Sequence, residues 1–314
     1  MKKAIIVGYK GQDGQYLLKS LRLKGYDVVG IGRRDIEPVS KFSGFVDINN
    51  SDHVFRLLHS YTPHEIYYLP AFHHSSQEDQ SDDTRILRES FQTHVLSLSF
   101  FLEGMEKFSP LSKLFYAASS HIWGDAPTSI QNEDTPINPN CVYGITKAAG
   151  LQTCRFFRRN GIFASVGILY NHESPLRPVK FISQKIVYGA VAIKEGRQDR
   201  LSVGDLSASV DWGFAGDYVE AMQAVLQLDQ ADDFIVATGR TYTVRDFIER
   251  VFDQLKLDWK KYVVEDQNII IKKKKYILCG DPSKLMARTN WRPSVTFDRL
   301  VDMMVQEAMK KVHV

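Results

Sequence analysis

Tyr143 and Lys147 stand four residues apart in the stretch Tyr-Gly-Ile-Thr-Lys, a spacing that puts a phenol and an ammonium on one face of a helix. A cation so placed stabilises the phenolate, lowers the tyrosine pKa and lets the side chain take a proton from a substrate hydroxyl. Ser119 and Ser120 close an apolar run, Lys113–Ala118, and bring hydroxyl donors to the strand end before that helix. A second group of residues suits a different task. Gly8-Tyr9-Lys10-Gly11-Gln12-Asp13-Gly14 follows a short apolar run and opens a helical pattern. Glycines there let the backbone turn tightly and present helix N–H groups to a pyrophosphate, where the helix dipole favours negative charge. Gly8, Gly11, Gln12, Asp13 and Gly14 are therefore candidate contacts to a dinucleotide.

The elements that position these residues alternate. Apolar, β-branched runs at Ala4–Val7, Asp27–Ile31, Glu65–Leu69, Lys113–Ala118 and Ser165–Tyr170 read as strands. Helical patterns lie near Gln12–Leu23, Asp52–Ser60, Arg85–Lys107 and Tyr143–Arg159. Such alternation predicts an α/β fold, with right-handed crossovers and a parallel sheet covered on both faces. After Tyr170 loops and helices dominate, with helices expected at Phe181–Ile193, Asp217–Leu228, Val244–Leu255 and Phe297–Met309. Residues 1–170 thus read as the dinucleotide-binding domain, and residues 171–314 as a smaller, mainly substrate-binding portion interleaved with it. The second strand ends in Gly32-Arg33-Arg34-Asp35. Arg33 and Arg34 suit a 2′-phosphate and Asp35 a free ribose hydroxyl, so both NAD(H) and NADP(H) stay open, with the arginine pair weighing toward NADP(H). Asp47 either caps a helix or approaches the adenine, the cap being the expected role. The run Ile269–Lys275 reads as a solvated strand or loop.

Composition narrows the function classes. The 314 residues are 44% hydrophobic and 25% charged, an ordinary globular balance. Forty basic residues against 37 acidic ones leave a net charge of +3, too small a field to favour nucleic acid or anionic membrane as a partner. Cys141, Cys154 and Cys279 are too scattered for a disulfide framework or a zinc site, so no metal is expected and a reducing cytoplasm fits. Only Ala4–Val7 precedes the first glycine as an apolar run, far short of a signal peptide, and no stretch approaches the roughly 20 apolar residues that span a bilayer.

Taken together, the glycine turn, Ser119 and Tyr143-x-x-x-Lys147 resemble the extended short-chain dehydrogenase/reductase superfamily, with its Rossmann-type doubly wound sheet. The likeness is closer to one branch. GYKGQDGQYLL (8–18), EIYYLPA (65–71), GILYNHESPLR (167–177), DWGFAGDYVEAM (211–222), ATGRTYTVRDFIE (237–249) and GDPSKL (280–285) resemble the GDP-mannose 4,6-dehydratase family across almost the whole chain. That resemblance implies a nucleotide-sugar substrate, a GDP-hexose or GDP-heptose, and a tightly bound nicotinamide dinucleotide. It implies that Tyr143 deprotonates the sugar 4-hydroxyl as hydride leaves carbon 4. Lys147 would hold the nicotinamide ribose and the phenolate charge, and Ser119 would donate to the same oxygen. It adds Leu69 and Ala71 as cofactor contacts, and Ser120, Asn171, Arg177 and Lys185 as contacts to sugar or diphosphate.

Three departures qualify the implied activity. Where the family carries a glutamate acid/base after the two hydroxyl residues, this chain has His121. Oxidation at carbon 4 and elimination across carbons 5 and 6 use different groups, so the second can be lost alone. The expected reaction is therefore redox at carbon 4, forming or using a 4-keto sugar. Full 4,6-dehydration with His121 as acid/base is the alternative, and 4-epimerisation a further one. A silent binding module is disfavoured by the intact Tyr143, Lys147 and Ser119. Val210 replaces an arginine before Asp-Trp-Gly, and the segment 271–275 replaces another phosphate-binding stretch, leaving Arg177, Lys185 or Lys272–Lys275 to meet the diphosphate. The loop between Arg34 and Asp47 is short, which makes a homodimer the default and leaves a tetramer open.

Overall fold

The computed structural model describes residues 1–32, 36–37, 45–72, 83–269 and 277–312. Seven strands form its main sheet: β1 (Lys3–Val7), β2 (Asp27–Ile31), β3 (Ile36–Glu37), β4 (Glu65–Tyr68), β5 (Lys113–Ser119), β6 (Phe163–Leu169) and β7 (Asp233–Val236), in the spatial order β7-β6-β5-β4-β1-β2-β3. All neighbours run parallel except the short β3. The inner strands are buried almost throughout because helices cover both faces, which is why they read as continuous apolar runs rather than alternating ones. The chain leaves β1 in one direction to β2 and returns to the other side at β4. That reversal opens a crevice at the carboxyl ends of the strands.

On one face lie α2 (Ser51–Tyr61), α3 (Asp83–Phe91), a π turn (Gln92–Leu96), α4 (Ser97–Phe108) and α5 (Val142–Arg159); on the other are α1 (Gln12–Leu23) and α7 (Ala215–Leu226). A third apolar cluster joins α6 (Ile182–Lys194), α8 (Val244–Gln254) and α9 (Phe297–Val312), through Ile186, Phe247, Phe252, Val301 and Met304. Three features differ from the sequence expectation, one being the short antiparallel β3 at the sheet edge. The helix foreseen over 85–107 is interrupted by the π turn, whose extra residue per turn carries His94 into the core. The sheet also gains β7 from beyond residue 170, a four-residue run too short to stand out. It holds its place through Asp233, which Arg155 and Arg158 of α5 grip at 2.6 and 2.7 Å. Among the described residues no helix is long and apolar enough to cross a membrane.

Gly14 shows how tightly the first turn is built, since a Cβ there would lie 2.5 Å from both the Gly8 oxygen and the Tyr9 Cα. Both atoms are backbone and cannot step aside. Gly14→Ala should therefore cost about 1–3 kcal/mol of stability, read as a lower denaturant midpoint. A wild-type midpoint would mean that α1 stands off from the turn.

Candidate active site

β5 ends at Ser119, and a 3₁₀ turn (Ser120–Trp123) follows. The Ser119 hydroxyl accepts from the His121 N–H at 3.3 Å, so the histidine backbone is fixed to the strand end. Cys141 caps α5 with its sulfur, which accepts from the Gly144 N–H at 3.4 Å. A Cβ on Gly144 would lie 2.4 Å from the His121 oxygen, so glycine there lets α5 close on the 3₁₀ turn. The first turn of α5 thus carries Tyr143 up to two imidazoles, those of His94 and His121, met edge-on at centroid distances of 5.6 and 5.7 Å. His121 Nδ1 lies 3.7 Å from the Cys141 sulfur.

Lys147 is 1% exposed. Its Nζ donates to the Ala117 and Pro70 carbonyls at 2.7 and 3.1 Å and stands 5.8 Å from the Tyr143 ring centre. Burial pulls the Lys147 pKa down to about 7, against the opposing charge of Asp13. Burial also pushes Tyr143 up to about 12; the Arg177 charge and a Ser119 hydrogen bond offset only part of that rise. The four-residue spacing predicts a lowered phenol pKa with Lys147 as its cause. Desolvation outweighs that effect here, and Arg177 is the cation that eases the phenolate.

The glycine turn lies at the neighbouring strand end. Gly8 has φ +87° and donates to Ile31 O, and Gly11 donates to Gly8 O. No side chain caps α1 at Gly11, so its first N–H groups suit an anionic ligand. The side chains of Gln12 and Asp13 are engaged elsewhere. Gln12 donates to His172 O at 3.1 Å and accepts from the Ser174 hydroxyl at 2.7 Å. Both Asp13 oxygens lie 3.0 Å from His172 Nε2, while His172 Nδ1 meets Tyr170 O at 2.7 Å. With acceptors at both nitrogens the ring is an imidazolium. Burial alone would lower its pKa, but the Asp13 charge and hydrogen bond prevail and raise it. Leu69 donates to Val7 O, and the Pro70 backbone packs at Gly8, with Ala71 exposed just beyond.

Asp47 is not the cap of α2. Asn50 fills that role, accepting from Asp52 and His53, while Asp47 accepts from Asn49. Arg33, Arg34, Asp35 and Lys272–Lys275 lie outside the described residues.

On the substrate side, Ser120 and Asn171 line one small cleft with Tyr170, Ser209, Val210 and Asp211. Arg177 Nε lies 3.2 Å from Glu173 Oε2, and its guanidinium carbon 3.5 Å from the Phe181 ring centre. Its charge acts on both Tyr143 and Asp13. Lys185, half-buried in the first turn of α6, donates its backbone N–H to Phe181 O. Sequence reasoning missed His94, Cys141, His172 and Asp211. The last two sit inside the NHESP and DWG stretches, which was the signal available. Asp211 organises the cleft by accepting from Thr238, Gly239 and Gly280; burial lifts its pKa to about 6.

The sequence model of the GDP-mannose 4,6 dehydratase family matches residues 5–304. The chain is 36% identical to GDP-mannose 4,6 dehydratase 2 of Arabidopsis thaliana over 336 residues, covering 98% of this chain and 87% of that protein. Its fold is similar to RMD from Pseudomonas aeruginosa complexed with NADPH (TM-score 0.82, 19% identity, 99% of this chain and 100% of that one). It is also similar to dTDP-glucose 4,6-dehydratase from Bacillus anthracis in complex with NAD (TM-score 0.81, 18% identity, 100% and 98% covered).

The depressed Lys147 pKa has a thermodynamic signature. The unfolded chain binds this proton below the ordinary lysine value of 10.5, whereas the folded chain binds it only below about 7. Stability is therefore lost as pH falls through that window, by several kcal/mol at most, and is constant below it. Lys147→Met removes the titration, so its melting temperature should gain on the wild type as pH drops from 10 to about 7. A pH-independent gap in parallel melts would show that the ammonium is not desolvated.

Proposed function

Because the chain belongs to the GDP-mannose 4,6-dehydratase family, we propose that it binds a GDP-hexose beside a nicotinamide dinucleotide, oxidises the sugar at carbon 4 and then removes water across carbons 5 and 6. The observation that carries this reading is the convergence of Ser119, His121 and Lys147 on Tyr143 at the strand ends, beside the uncapped start of α1.

The residues present fit NAD(H) or NADP(H). Gly14 leaves no room for a Cβ and Gly8 holds a left-handed φ of +87° where the turn must admit a pyrophosphate, and the backbone of Leu69 and Pro70 flanks Gly8. Bound there, the dinucleotide supplies the acceptor for the carbon 4 hydride and its later donor to carbon 6. Tyr143 takes the 4-hydroxyl proton, and Ser119 donates a hydrogen bond that stabilises its phenolate oxygen. Lys147 keeps a positive charge at the same place in its protonated form. Once carbon 4 is a ketone, the carbon 5 proton is acidic. His121 accepts it and gives it to the departing carbon 6 hydroxyl, which leaves as water. When carbon 6 is reduced, carbon 5 takes up one proton, matched by the one Tyr143 removed from the 4-hydroxyl, so imidazole and phenol both end as they began and the only coproduct is water. This sequence has no net redox and needs no second oxidant. Arg177 and Lys185 serve the diphosphate, with Ser120 and Asn171 on the sugar. Exposed Leu96, Ile145 and Phe156, beside and along α5, suit a homodimer contact.

The second reading, redox at carbon 4 without elimination, is favoured by the imidazole at position 121, which differs in length and charge from a carboxylate. Mass spectrometry after incubation with GDP-mannose separates the two, because dehydration removes one water and oxidation two hydrogens. The expected product has lost water. Tyr143→Phe should lower turnover by about 10²–10⁴-fold with GDP-mannose binding retained. His121→Ala should stop water loss while the absorbance of reduced nicotinamide still rises. Normal turnover by Tyr143→Phe would remove the phenol from the mechanism.

A further inference from the structure

His94 is wholly buried, lies in the π turn and takes no part in the chemistry described above. Its Nε2 lies 2.9 Å from the Phe72 backbone nitrogen, and its Nδ1 lies 2.8 Å from the Thr146 hydroxyl. A backbone N–H can only donate, so Nε2 must hold a lone pair and the ring proton must sit on Nδ1, directed at Thr146. The Thr146 hydroxyl in turn donates a hydrogen bond to the carbonyl of Val142 or Tyr143, at 3.0 and 3.1 Å. The outcome is a one-way chain from Phe72 N–H through the imidazole to the first turn of α5, with one tautomer and no net charge.

The two ends of that chain are the two halves of the proposed site. Phe72 follows Pro70 by two residues, and Pro70 O is one of the two carbonyls that hold the Lys147 ammonium. Thr146 lies between Tyr143 and Lys147 in the sequence, and the His94 ring itself stands edge-on to the Tyr143 ring. The backbone leaves little slack, because a Cβ at Gly150 of α5 would come 2.7 Å from His94 O. A histidine that merely filled core volume would not need an acceptor on one segment and a donor on the other.

We propose that His94 is a positioning residue. Held neutral and protonated on Nδ1, it ties the loop leaving β4 to the catalytic helix and so sets the distance between Tyr143, Lys147 and the cofactor support of residues 69–71. The proposal rests on the reading of Tyr143 and Lys147 given above, but two of its measurements do not depend on any reaction.

Nitrogen-15 NMR of the wild-type protein at neutral pH should show a protonated Nδ1 and an unprotonated Nε2 for His94. An Nε2–H tautomer or an imidazolium would overturn the proposal. His94→Phe keeps ring volume and loses both hydrogen bonds, and the Phe72 amide should then exchange with solvent faster than in the wild type. Unchanged exchange would also overturn it. With GDP-mannose as substrate, His94→Phe should lower kcat on the order of 100-fold with little change in KM. His94→Gln, which keeps an acceptor for Phe72, should recover part of that loss. Equal kcat in wild type and His94→Phe would sink the positioning role, whereas product loss through Tyr143→Phe alone leaves it standing. If the proposed reaction is itself wrong, GDP-mannose will not turn over with the wild type, while the tautomer and exchange results still decide the role of His94 as a tie.

Discussion

An ammonium taken out of water has to be met by oxygen atoms held in place, and Lys147 is met by the carbonyls of Pro70 and Ala117. The cost of leaving such a charge unpaired is several kcal/mol. The two carbonyls stand together because β4 and β5 lie side by side and parallel, with Tyr68 opposite Tyr116, so that Pro70, just past the end of β4, comes level with the last residues of β5. Parallel neighbours require a long crossover, which is the helical segment from α3 through the π turn to α4. The next crossover, α5, returns the chain to β6 and brings Lys147 over those strand ends on its first two turns. Much of the architecture from residue 65 to residue 169 is therefore a consequence of where this ammonium sits.

The same economy joins the two ligand sides. Asp13 opens α1, while His172 belongs to the segment after β6, and their buried ion pair spans both. Gln12 adds two hydrogen bonds to that segment, and the His172 ring stacks on Tyr218 at 4.5 Å. Removing either charge would strand the other away from water, so the pair ties the glycine turn to the segment after β6. Arg177 extends the coupling, since its field reaches Asp13 and Tyr143 together.

Local signals were legible in the sequence and long-range ones were not. The Tyr143–Lys147 spacing, the glycine turn and the apolar strand runs depend on residues a few positions apart, and each element appears where the pattern puts it. β7 depends on pairing with β6 and on arginines some 75 residues away, so its four residues carried no pattern of their own. Asp47 and Asn50 both have side chains able to cap, and only the geometry of α2 selects Asn50. His94 gave no warning because a π turn has no strong sequence signature. The pKa of Tyr143 was misjudged for a related reason: spacing reveals a nearby cation but not the depth of burial, and burial is the larger effect.

The substitution at residue 121 can be understood through Ser119. That hydroxyl accepts from the backbone N–H of His121 and donates toward Tyr143, so the link between the two acid/base positions uses the main chain of residue 121 and not its side chain. Any residue type except proline, which has no N–H to donate, can make that link at position 121. The side chain is then free to change without disturbing the first proton transfer, and in this chain it has acquired a contact of its own with Cys141 at the cap of the catalytic helix. Sulfur has one proton and two lone pairs, so it can receive Nδ1–H or donate to a bare Nδ1. Either arrangement fixes the ring and decides whether Nε2 acts as acid or base. In the proposed reaction the second half would therefore turn on a thiol and an imidazole that meet through folding, and the first half on a strand end and a helix turn that their change leaves intact.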